Sequence, residues 1–169
     1  MAQPRDADLL PILLDAWDRN QRILVNLLRA LPAGGLAARA MADGPTVASL
    51  FAHAHYVRLA FVEENVPERA LAVPAEEWAD GRDPARIEAD LDASARAVRE
   101  AVLARLASGA PLDRHYDHPV LFLQHMIWHE GYHHGQIKLA LKSSGLPLAD
   151  REVGRGTWGV WMSKTEAGR

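Results

Sequence analysis

Hydrophobic positions recur along this chain at steps of three and four residues in four separate stretches, the spacing of one face of an α-helix. In the first, Leu10, Leu13, Leu14, Trp17, Leu24, Leu27, Leu28 and Leu31 form the stripe, and the LPAGG segment with Pro32 stops it. The second follows Gly44-Pro45-Thr46, with Thr46 suited to cap it, and its stripe is Val47, Leu50, Phe51, Ala54, Val57 and Phe61. The third opens at Asp83-Pro84, a capping residue followed by proline at the first helical position. Ile87, Leu91, Ala95, Val98 and Val102 give its stripe, and Gly109-Ala110-Pro111 closes it. The fourth opens near His118-Pro119 and ends before Gly145 and Pro147. The pattern predicts helices at about 6–31, 46–65, 83–108 and 118–143. No segment alternates with period two, so the expected fold is all-α, a four-helix bundle in one domain spanning 1–169.

Two stretches fall outside these helices. The link 66–82 carries Trp78 and is expected to hold a short helix or pack over one end of the bundle. The tail 144–169 is rich in glycine, yet Trp158 and Trp161 argue that part of it packs on something. The fourth helix has a second apolar stripe besides its main one, formed by Leu121, Trp128, Tyr132 and Leu139. A helix apolar on two sides is covered on two sides. Either the tail or a second copy of the chain should cover this stripe, and a twofold homodimer is the expectation.

Composition narrows the function classes. At 169 residues, 49% apolar and a formal net charge of −3, the chain reads as an ordinary globular protein without the basic patch of a nucleic-acid binder. No apolar run reaches the ~20 residues needed to span a bilayer. The charged N-terminus does not resemble a secretion signal, so the expected location is cytoplasmic. With no cysteine, disulfides, thiolate metal ligands and a cysteine nucleophile are excluded.

Histidine is the unusual residue: there are eight, and five fall between His118 and His134. His129 and His133 stand four apart on the fourth helix, one turn apart on one face, and can aim their imidazoles at a single ion. A lone histidine on an apolar face is ordinarily a satisfied core residue. Two facing inward need partners for four ring nitrogens, and a metal ion answers much of that need. His125 lies one turn earlier on the same stripe and reads as lining the pocket. His134 points away. Catalytic sites commonly use three protein ligands and leave a position open. On the second helix His53 sits at the edge of the apolar stripe and His55 on the opposite side, so His53 is the expected third ligand.

Other residues near the stripe carry alternative readings. Glu130 is a candidate general base, or a boundary carboxylate. Gln136 can orient a ligand or bond across to another helix. Arg58 is expected to be solvated, unless it meets an anionic substrate. His129 to His133 also spells the H-E-x-x-H pattern of zinc proteases, with Glu130 as base and Glu152 as the only obvious further ligand. The glycine-rich surroundings of Glu152 and the lack of a strand to align a peptide argue against it. No pair of Glu-x-x-His helices supports a di-iron carboxylate site.

Two segments, TVASLFAHAHYVR and LFLQHMIWHEGYHHGQIKLAL, resemble the DinB/YfiT-like family of small four-helix proteins. His53 falls at that family's first metal position. His129 and His133 fill its H-x-x-x-H pattern, followed by His134 where arginine is common, then Gly135 and Gln136. The resemblance runs loosely over the first ~145 residues through helix number and order. It implies an up-down-down-up bundle, a three-histidine site for one divalent ion such as Zn, Ni or Fe, and homodimers. It further implies a small-molecule substrate and thiol chemistry: a metal-dependent thiol transferase or hydrolase, with a non-catalytic metal-binding or stress-response protein as the alternative. Imidazole ligation suits several of these metals, so the ligands do not choose among them.

Overall fold

The computed structural model describes residues 9–164 and contains four long helices, α1 (Leu9–Arg29), α2 (Val47–Asn65), α3 (Pro84–Ser108) and α4 (Pro119–Ser143), with no strand among those residues. The expected start of the first helix, at residue 6, lies outside the described residues. Each of the three later helices begins at the capping residue the sequence supplies. Thr46 Oγ1 accepts from the Ser49 N–H (3.0 Å), the Asp83 carboxylate from the Ala85 N–H (3.0 Å) and His118 Nδ1 from the Val120 N–H (3.2 Å). Pro84 and Pro119 occupy the first turns of α3 and α4, where a missing N–H costs nothing. Gly109 ends α3 with φ 66°, a left-handed conformation that glycine adopts without strain.

The helices pack around two hydrophobic clusters, and each cluster draws on all four. One contains Trp17, Val57, Val62, Val98, Val102, Phe122 and Met126. The other contains Leu24, Leu27, Phe51, Leu91, Ile137 and Leu141. Trp17 is fully buried, and its indole N–H donates to the Ala95 carbonyl at 3.0 Å, so the largest core side chain leaves no polar atom unpaired. None of the helices is long and apolar enough to cross a membrane.

The link between α2 and α3 contains a single 3-10 turn at Pro67–Arg69 and then an irregular stretch, with a turn at 77–78, that carries Trp78 onto the bundle. The tail folds back through a short helix, α5 (Asp150–Val153), and a 3-10 turn at Trp158–Met162. It is tied to α1: Arg19 donates to the carbonyls of Val160 (2.5 Å) and Ser163 (2.8 Å), and Asn26 to that of Gly156 (2.7 Å). The described part of the tail does not cover the second stripe of α4, where Leu121, Trp128, Tyr132 and Leu139 all remain exposed.

Candidate metal centre

Helices α2 and α4 pack together and bring three histidines to one point. His129 Nε2 stands 3.2 Å from His53 Nε2 and 3.0 Å from His133 Nε2, and one nitrogen from each ring lies within 4.8 Å of the others. His53 and His133 are buried and His129 is half-buried. The 129–133 spacing supplies two of the rings from one helical face, as the periodicity predicts. His53 comes from α2, two turns after its Thr46 cap.

Burial is the largest influence on all three rings and disfavours the imidazolium form. It acts with the neighbouring imidazoles to push His129 down to about 3. His53 is lowered by burial and by His133, against an opposing pull from Glu77. His133 is lowered by burial, against Gln136 and Glu130. The trio is therefore neutral near pH 7, with lone pairs available. A neutral ring has one hydrogen, and His133 directs its own, on Nδ1, to Gln136 Oε1 at 2.7 Å. That leaves a bare Nε2 facing the other two rings. His129 Nδ1 is buried without a partner. Three converging nitrogens that cannot all satisfy one another are well served by a cation. Nitrogens ~2.05 Å from a tetrahedral ion stand roughly 3.3 Å apart, close to the 3.0 and 3.2 Å of two of the three pairs, with the third within 4.8 Å. The donor set therefore fits one divalent ion.

The remaining histidines stay out of the group. His125 lies beside it, its ring edge-on to His129 with centroids 6.2 Å apart, and its Nδ1 is hydrogen-bonded to the Tyr116 hydroxyl at 2.6 Å. This is a neighbouring position, outside the group of converging histidines. His55 bonds through Nδ1 to the Asp90 carbonyl (2.8 Å) on another side of α2. His134 turns toward the tail, where it shares a small cleft with Trp158 and Trp161.

Two expectations need correction. Arg58 is completely buried and not solvated. Its guanidinium forks onto Glu130, with Nε to Oε1 at 2.6 Å and Nη2 to Oε2 at 2.8 Å. Nη1 donates to Gln21 Oε1 and to the Leu91 carbonyl, both at 2.8 Å, and the cation lies 4.9 Å from the Trp17 ring centroid. The same pairing changes the reading of Glu130. As the residue after His129 it rotates away from the ligand face and into the core, where Arg58 and Asn20 occupy both carboxylate oxygens. Both oxygens are thus engaged in the buried ion pair with Arg58 and the bond from Asn20. The protease pattern loses its second group as well. Glu152 sits exposed on α5, beside Arg151 at 3.5 Å and outside the histidine group.

Two residues at the site were not placed there from the sequence, although Trp78 was expected to help the link pack on the bundle. Trp78 stacks on the His53 ring, with centroids 3.9 Å apart and planes 5° from parallel. Glu77 Oε1 stands 2.8 Å from His53 Nδ1, within ion-pair distance but at an angle outside ideal hydrogen-bond geometry. The tryptophan in the link was the only sign of either.

Four long helices closing on a three-histidine cage define a helical protein with a candidate metal centre. The chain belongs to the DinB family, whose model matches residues 1–154, further than the ~145 residues the motifs suggested. Comparison with curated proteins and with solved structures returned no match.

Proposed function

We propose that the protein binds one divalent metal ion through Nε2 of His53, His129 and His133, and acts on a small molecule at the position those ligands leave open. The observation that carries this reading is the convergence of three neutral imidazoles, one of them oriented by Gln136. When bound, a divalent ion held only by neutral ligands keeps its full charge and acidifies a water or thiol that joins it. Thiol transfer is favoured over hydrolysis as the reaction class, because Glu130 is committed to Arg58 and is not free to shuttle a proton from water. A low-molecular-weight thiol is then the substrate class. The histidines supply lone pairs, Gln136 holds the His133 ring by accepting its Nδ1 hydrogen, and His125 with Tyr116 forms the adjoining wall. The up-down-down-up helix order and a homodimer through the exposed face of α4 belong to the same reading; the exposed apolar ridge of α4 is what suggests the dimer.

The test begins with metal content. Protein purified without added metal and then reloaded should hold one ion per chain, and His53→Ala and His133→Ala should each lose it. A wild type that takes up no stoichiometric ion, or a variant that retains it fully, overturns the proposal. Activity with low-molecular-weight thiols as co-substrates then separates a transferase from a non-catalytic metal-binding protein, which would hold the ion but turn nothing over.

A further inference from the structure

The link from α2 to α3 does more than connect them, because its last third is pinned beside the metal centre. Asp80 accepts from Thr46 Oγ1 at 2.6 Å and from Arg82 at 2.8 Å. Thr46 is the fully buried cap of α2, so the link is fastened to the same helix that carries His53. The two residues that stack on and approach His53 lie just before this anchor. The Trp78 indole covers one face of the imidazole in parallel at 3.9 Å, and it meets His133 edge-on with centroids 6.5 Å apart. Glu77 brings Oε1 to 2.8 Å from His53 Nδ1, the nitrogen that faces away from the other two rings. That nitrogen is buried and has no other partner.

A histidine that gives Nε2 to a metal carries its hydrogen on Nδ1, and the group that accepts that hydrogen sets both the tautomer and the ring plane. Gln136 fills this role for His133. We propose that Glu77 and Trp78 are the positioning residues of His53: Glu77 accepts the Nδ1 hydrogen once Nε2 is engaged, and Trp78 fixes the ring plane and shields that side of the site from water. The link thus completes the ligand cage. His53 comes from a different helix than the other two, and no neighbour on α2 holds its ring.

This inference rests on the metal-binding reading, and the experiment separates the two. Co(II) is titrated into wild type, E77A, E77Q and W78A, followed by visible absorption, with melting of each metal-free protein recorded alongside. E77A and W78A should weaken Co(II) binding about 10- to 100-fold and alter the visible band, while the metal-free proteins melt close to wild type. E77Q keeps the shape and an accepting oxygen, and should fall between wild type and E77A. Intrinsic fluorescence adds a second readout: of the five tryptophans, Trp78 alone stacks on a ligand ring, so W78F should lose most of the quenching that Co(II) causes. If E77A and W78A bind Co(II) with wild-type affinity and spectrum, the positioning role is wrong and the metal site stands. A wild type that binds no Co(II) removes both.

Discussion

The guanidinium of Arg58 lies fork to fork on the carboxylate of Glu130, 72 residues away in sequence, with both side chains removed from solvent. Bidentate Arg–carboxylate pairs are among the stronger polar contacts in proteins, yet burying both charges carries a large desolvation cost. This pair offsets that cost by recruiting Asn20 and Gln21 from α1, the Leu91 carbonyl from α3 and the Trp17 ring face. It therefore ties all four long helices together beneath the histidine cage.

Removing one partner should be far worse than removing both. Glu130→Ala leaves a buried guanidinium without its counter-charge, and the expected loss is about 3–5 kcal/mol. The double variant R58M/E130L should recover much of that loss. Urea unfolding checks this, with midpoints shifting at constant slope. Two single-variant losses that simply add in the double variant would show that the pair is not coupled. E130Q, provided it folds, should bind metal as wild type does, since the carboxylate stands in the core and not at the ion.

Gln136 is expected to act on the ion through His133. Its Oε1 accepts from His133 Nδ1 at 2.7 Å, and its amide nitrogen donates to the Tyr132 hydroxyl at 3.0 Å, so both ends of the amide are fixed. Gln136→Ala should raise the metal dissociation constant about 10- to 100-fold and leave the unfolding midpoint of the metal-free protein nearly unchanged. Competition against a chelator of known affinity measures the first, and thermal melting the second. An unchanged dissociation constant would mean that the helix alone fixes the ring.

His125 gives the opposite prediction. Its ring lies next to His129, but its Nδ1 is taken by Tyr116 and it contributes nothing to the group of converging nitrogens. His125→Ala should keep one ion per chain with an affinity within about threefold of wild type, by the same competition measurement. Loss of stoichiometric metal would make His125 a ligand and would require the cage to be redrawn.

These residues also show what was legible in the sequence. Helix limits were readable because each boundary has a local chemical cause, such as the caps at Thr46, Asp83 and His118, so the observed starts fall within a residue of those expected. His129 and His133 were readable because their relation is a property of one helix. His53 needed a helical wheel and a family resemblance. Arg58 was misread because an arginine beside an apolar stripe is normally solvated, and what holds it in the core is a carboxylate on another helix. Glu77 and Trp78 were not recognised because their position depends on a long-range bond, Thr46 to Asp80, that no periodicity encodes.

The exposed face of α4 leads to the last prediction. Leu121, Trp128, Tyr132 and Leu139 are spaced by seven, four and seven residues, so they form one continuous ridge, and Trp128 and Tyr132 lie nearly parallel with centroids 6.4 Å apart. Trp128 is 70% exposed and Tyr132 57%, large aromatic surfaces for a chain to leave in water. Aromatic anchors of this kind dominate the binding energy of interfaces, each costing about 2 kcal/mol or more when truncated. A second copy related by a twofold axis would set ridge against ridge and bury the same residues twice. Sedimentation of the wild type at micromolar concentration should therefore give twice the chain mass of 18.6 kDa. Trp128→Glu should give single chains with unchanged helical content and unchanged metal stoichiometry, because the Trp128 ring packs on Tyr132 and on none of the three histidines. A wild type that sediments as a single chain up to high micromolar concentration would show that this ridge is not a self-association surface.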